Sequence, residues 1–277
     1  MRHGLKRLFI GLTMLACIGA VPLAGSAEDF RIDTEIFLGS HKTPEIAVLT
    51  IFHSGNVYDF QLTEPQEITV FEPRRGVLTL LNVKDKKKAS VTTAELLNAA
   101  LNMQAAAAGA GNPVFAAAAQ PVFETTSVDF KENNSNFTKL TFAGKPIQYT
   151  VTGQVARHPA AANDYRYFSD WSARLSSLRP GNLPAGARLE VNDAIAKKGL
   201  LPKEVQRVIQ ESRFGKKIEV RSEHLVVWTL SQEDLKKIDI VGDHLTQFPL
   251  VSFEEFCGRV PAPAKVAAPP QQVTQQR

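Results

Sequence analysis

The chain has 277 residues, 44% of them hydrophobic and 22% charged, with two cysteines, Cys17 and Cys257. That balance is too apolar for a disordered chain and too poor in cysteine for a disulfide-stapled scaffold. The formal net charge is +4; without the leader's Arg2, Lys6 and Arg7 it falls to 29 basic against 28 acidic residues, which gives nucleic acid or an anionic membrane no footing as main partner.

Residues 1–27 read as a secretory signal peptide. Arg2, Lys6 and Arg7 make a positive head, Leu8–Leu23 an apolar run, and Gly25-Ser26-Ala27 a small-residue cleavage site. Pro22, Gly25 and the acidic Glu28-Asp29 stop the run short of the roughly 20 apolar residues of a spanning helix. Met14-Leu15-Ala16 before Cys17 fits a lipobox poorly, so cleavage after Ala27 is expected, leaving Cys257 as the one mature cysteine. The expected localisation is periplasmic or extracellular. One α+β domain is expected over 28–260, followed by a disordered Pro/Ala/Gln-rich tail at 261–277, and no later segment is long enough to span a bilayer.

Phe30–Leu38 predicts a first strand, turned by Gly39-Ser40. Ile46–Phe52 is apolar on both faces, as in a strand covered on both sides. Tyr58, Phe60 and Leu62 then alternate with Asp59 and Gln61, and Ile68 and Val70 continue the apolar row. With Val77–Val83 and the lysine-flanked run to Thr92, closely spaced turn signals (Ser54-Gly55-Asn56, Thr63-Glu64-Pro65, Pro73-Arg74-Arg75-Gly76) predict an antiparallel meander.

Thr92 and Glu95 have capping-box spacing and open a helix ending near Gly109. The alanine-rich 105–119, broken by Gly109, Gly111 and Pro113, reads as a helical hairpin or a pliable connector, the hairpin being expected. A second β block is predicted over Val122–Val155, turned at Asn133-Asn134-Ser135. From Ala160 the period turns helical: Tyr165, Phe168, Trp171 or Ser172, Leu175 and Leu178 recur at three and four, the spacing of a helix packed on a sheet rather than a ligand platform. Leu183–Lys198 and Pro202–Ser212 read as two short helices, Lys217–Leu230 as a long strand or hairpin, and Ser231 as the start of a last helix to about Leu245.

Chemistry is hard to find. Glycine-rich phosphate loops, Gly-x-Ser-x-Gly elbows, His-Glu-x-x-His and paired Cys-x-x-Cys motifs are missing. His41, His53, His158, His224 and His244 stand apart in sequence, and Asp164 and Asp170 fall on different sides of their helix. An enzyme would need His224 or His53 to meet a carboxylate across strands. No catalytic residue, metal site or cofactor is therefore assigned.

The runs Thr50–Phe60, Glu67–Phe71 and Gly76–Val83 resemble those of periplasmic lipoprotein-carrier-like half-barrel proteins, a likeness covering Phe30–Val155. Phe168–Leu175, Leu183–Leu189 and Arg221–His224 are similar to segments of uncharacterised secreted bacterial proteins. The first resemblance implies a curved antiparallel sheet, an open half-barrel, covered by helices. A non-catalytic envelope protein is the expectation, holding a lipid or lipoprotein acyl chain on Tyr58, Phe60, Leu62, Ile68, Val70, Leu78 and Leu80. The alternative is a structural or protein-interaction module contacting another envelope protein.

Overall fold

The structure, a computed structural model, describes residues 28–210, 215 and 217–258, though not the side chain of Ala108. The leader, Cys17 and the tail at 261–277 lie outside the described residues.

Among the described residues eleven antiparallel strands form one open sheet, which does not close into a barrel. β1 is Phe30–Leu38, β2 Ile46–His53, β3 Asn56–Gln61, β4 Glu67–Glu72, β5 Val77–Asn82 and β6 Lys87–Thr92. Next come α1 (Thr93–Gly109), α2 (Pro113–Ala119), β7 (Glu124–Glu132), β8 (Ser135–Ala143) and β9 (Ile147–Val155). The chain then makes α3 (Pro159–Ser177), α4 (Gly186–Lys197), β10 (Leu200–Gln210), β11 (Lys217–Val227), α5 (Gln232–Gln247) and the short α6 (Phe253–Phe256). The strand order is β6-β5-β4-β3-β2-β1-β11-β10-β9-β8-β7, so two meanders meet where β1 pairs with β11.

The expected α+β class, with helices covering an antiparallel sheet, is what the chain forms. The turns behave as read: Ser54 and Gly55 take φ of +52° and +77° in the β2–β3 hairpin, a left-handed pair that matches strand twist. Both halves of the capping box form at α1, with Thr92 and Glu95 each bonding the other's backbone N–H. The alanine-rich stretch is a helical hairpin, its second helix capped by the Asn112 side chain.

Pro202–Ser212 is a correction. Up to Gln210 these residues lie in β10, paired with β9 and β11, and not in a helix. Val205, Val208 and Ile209 satisfy a helical spacing locally, but Val205, Arg207 and Ile209 also alternate, and two flanking strands decide the matter. Pro202, which has no N–H to give to a ladder, sits at a register shift between Pro202 and Glu204.

One sheet face carries α1 to α4. Phe30, Phe52, Phe71, Leu78 and Leu80 pack there with Leu96 of α1 and Tyr165, Phe168 and Leu175 of α3. Phe168 meets the Phe52 ring edge-on at 6.0 Å, so the aromatic stripe of α3 is core, as its spacing predicts. Leu140, Tyr149, Val151 and Val205 pack on the same face with Val114 of α2 and Val191 and Ile195 of α4. On the opposite face Ile238, Val241 and Leu245 of α5 meet Leu49, Ile51, Phe60, Ile68, Val70 and Leu81 of β2 to β5. Edge strand β6 is shielded by the segment after α5: Lys88 donates its N–H to Pro249 and accepts from Val251.

Candidate functional site: a helix-walled cleft

The apolar row expected to hold a ligand does not form one surface. Antiparallel pairing sets Phe60 opposite Ile68, Ile68 opposite Leu81, and Tyr58 opposite Val70, placing those side chains on the α5 face. Leu78 pairs with Phe71 and, with Leu80, packs on the other face against α1 and α3. Leu62 follows β3 and is 48% exposed. The predicted row is thus split by the sheet itself, and both halves are filled by helices.

The open space lies further along. On the helix-bearing face, Ile36 of β1, Val220 and Ser222 of β11, Val205, Arg207 and Ile209 of β10, and Ile147 and Tyr149 of β9 make the floor of a cleft of about 520 Å³. Its walls are Val114, Phe115 and Ala118 of α2, Ala173 and Ser176 of α3, the 181–185 connection, and Ala187 and Arg188 of α4. The register makes the floor continuous: Ile36 pairs with Ser222, Ser222 with Val205, Val220 with Arg207, and Arg207 with Tyr149. Gly186 brings α4 hard against α2, for a β-carbon there would lie 2.2 Å from the Ala119 carbonyl oxygen. The wall between the two helices depends on that close approach.

Two arginines face this largely apolar space, and no carboxylate lines it among the described residues. Neither the Arg188 nor the Arg207 side chain has a hydrogen bond or ion pair with another described residue, and Arg207 Nε is buried without a partner. Other polar groups of the lining are used internally: Asn112 caps α2, and Asn182 donates to the Ser176 carbonyl and hydroxyl. Beside the floor, the His224 ring sits between Thr34 Oγ1, 3.0 Å from Nδ1, and Ser222 Oγ, 2.9 Å from Nε2. Burial, and then the charge of Arg188, hold its pKa down to about 3, so the ring is neutral near pH 7.

Three other titratable groups with defined partners, Asp59, Asp170 and His53, lie outside the cleft lining. Burial pushes the Asp59 carboxyl up to about 6; Thr50 Oγ1, donating at 2.6 Å, opposes this and the charge of Glu67 adds to it. Asp170 is raised by burial and accepts from Asn192 Nδ2 at 2.9 Å, tying α3 to α4. His53 does meet a carboxylate: Asp29 Oδ2 is 2.7 Å from Nδ1, with Ser54 Oγ 3.2 Å from Nε2. That set is exposed on the β2–β3 hairpin, at the opposite end of β2 from Ile46, the partner of Ile36. Among the described residues no three His, Cys, Asp or Glu side chains come together as metal ligands, and no helix is long and apolar enough to cross a membrane.

The cleft is not legible from the sequence, because the Pro202–Ser212 pattern suits a helix until β9 and β11 flank it. With β10 extended, alternation from Val205 to Ile209 would have put Arg207 between two core residues, the one signal available.

No family model matches the sequence, and no curated protein matches it. Among solved structures the chain is similar to PNGF-II, with a TM-score of 0.35 and 11% identity over 82% of this chain and 31% of that one. It thus spans under a third of the length of PNGF-II. It is also similar to a LolA superfamily protein from Nitrosomonas europaea, with a TM-score of 0.24 and 5% identity over 76% of this chain and 90% of that one. Likeness at this level is distant, and the function has to be argued from the chain's own residues.

Proposed function

We propose that this protein is an exported, non-catalytic envelope protein, periplasmic or extracellular, that holds an apolar ligand such as the acyl chain of a lipid or lipoprotein. The observation that carries the reading is the cleft of about 520 Å³ between the sheet and α2, α3 and α4, floored by Ile36, Ile147, Val205, Ile209 and Val220. Binding sites for small apolar molecules occupy roughly 300–1,000 Å³, are lined chiefly by apolar side chains and carry a few polar groups, and this cleft meets each condition. A binding role is supported by the apolar floor, and among the described residues no carboxylate lines the cleft.

Titration with a neutral solvatochromic dye, Nile red, tests the reading. Val220→Trp fills the floor and Ala173→Leu narrows the wall; each should cut dye binding at least tenfold while the unfolding midpoint stays close to that of the parent. Undiminished binding in both folded variants would place the dye elsewhere and remove the cleft from the proposal.

The alternative, a protein-interaction module, draws on β7. This edge strand is exposed at eight of its nine positions, and Val128 is 61% exposed. A partner strand could add to it. Site-specific crosslinkers placed along β7 in cells should capture a single discrete partner if that reading holds; no adduct along the strand would dismiss it.

A further inference from the structure

The geometry points to a single-chain amphiphile with an anionic head, a carboxylate or a phosphate monoester, as the occupant of the cleft, its head held by Arg188 and Arg207. This rests on the apolar-ligand reading and adds the chemistry of the polar end.

The argument is one of unmatched charge. Both arginines line the cleft, neither has an ion-pair partner among the described residues, and no acidic side chain of those residues lines it. Arginine is costly to bury and is normally paired where it is withdrawn from water. Arg207 is the sharper case, because its Nε is fully buried and has no acceptor. It projects from the middle of the floor between Val205 and Ile209, where a residue serving only the core would be apolar. Arg188 enters from the opposite wall in the first turn of α4, a helix whose N-cap residue, Ala185, supplies no side-chain cap. The positive end of that helix dipole therefore borders the same space. Planar guanidinium groups recognise carboxylate and phosphate oxygens with paired, charge-assisted hydrogen bonds. Much of the rest of the lining, Phe115, Ile147, Ile209 and Ile218 among it, is suited to a hydrocarbon chain, and its other polar side chains are uncharged.

The test is calorimetric titration of the purified protein with dodecanoate, dodecyl phosphate and dodecanol, each below its micellar or solubility limit. At least one of the two anions should bind tenfold or more tightly than dodecanol, and which of them does so identifies the head. Arg188→Gln and Arg207→Gln should each weaken the anion about tenfold and leave dodecanol within about twofold. Arg188→Gln, on a helix surface, serves if Arg207→Gln fails to fold. Equal affinity for all three ligands, unaffected by Arg188→Gln, overturns the anionic head while leaving an apolar cleft in place. Binding of none overturns both this inference and the reading beneath it.

Discussion

His224 makes acid stability a sharp test of how the sheet interior is built. The half-buried ring lies between Thr34 and Ser222, and its pKa is held at about 3 against an ordinary 6.5, first by desolvation and then by Arg188. A base whose pKa is lowered by folding stabilises the native state above 6.5, and that stability is lost as pH falls toward 3, because only the unfolded chain takes up the proton. The loss accumulates at about 1.4 kcal/mol per pH unit, so about 3 kcal/mol should be gone between pH 7 and pH 4. His224→Gln keeps a donor and an acceptor for the two hydroxyls and has no charge to gain. Urea unfolding of both proteins at pH 7 and pH 4 isolates the effect, since every other titrating group, Asp59 included, is common to the pair. The variant should lose about 3 kcal/mol less than the parent over that interval. Equal losses, or a histidine Hε1 resonance titrating near pH 6.5 and absent from the variant, would refute the desolvated, neutral ring.

Asp59 should act with the opposite sign. Its pKa is raised to about 6 in the folded protein, so stability is greatest below the unfolded value near 4 and declines as pH climbs through 6. Asp59→Asn should thus gain about 2–3 kcal/mol relative to the parent at pH 8 compared with pH 4, read from urea midpoints; parallel pH profiles would contradict the burial. Gly186→Ala should cost roughly 2–3 kcal/mol in thermal or urea unfolding, since the added carbon would lie 2.2 Å from the backbone oxygen of Ala119 and 2.8 Å from that of Ala118. Leu62→Ser, at a position 48% exposed, should change stability by under about 0.5 kcal/mol and leave Nile red binding intact.

What the sequence made legible was whatever local chemistry decides. The β2–β3 hairpin is written in Ser54-Gly55-Asn56, and α1 in Thr92 and Glu95, because a turn or a cap is satisfied within a few residues. The stripe on α3 was legible for the same reason, its period being fixed by one helix. The failures come from non-local pairing. Val70 and Phe71 are both apolar, as are Leu80 and Leu81, so alternation alone does not say which member of each pair faces which helix layer. The β4–β5 register says it, by setting Phe71 against Leu78 and Ile68 against Leu81, and this parted the expected row. β10 was lost likewise, since Val205, Val208 and Ile209 suit either period until β9 and β11 flank them. With β10 went Arg207, and with Arg207 the cleft; Arg188, on the surface pattern of a short helix, gave no sign of its own.

The most direct test of an acyl-binding cleft is where a bound chain lies. Intermolecular nuclear Overhauser effects from dodecanoate methylenes to methyl-labelled protein should fall on Ile36, Ile147, Val205, Ile209 and Val220, with none to Ile68, Val70, Leu78 or Leu80. Contacts to the latter group, or none to the floor of β9, β10 and β11 at saturating ligand, would contradict the account.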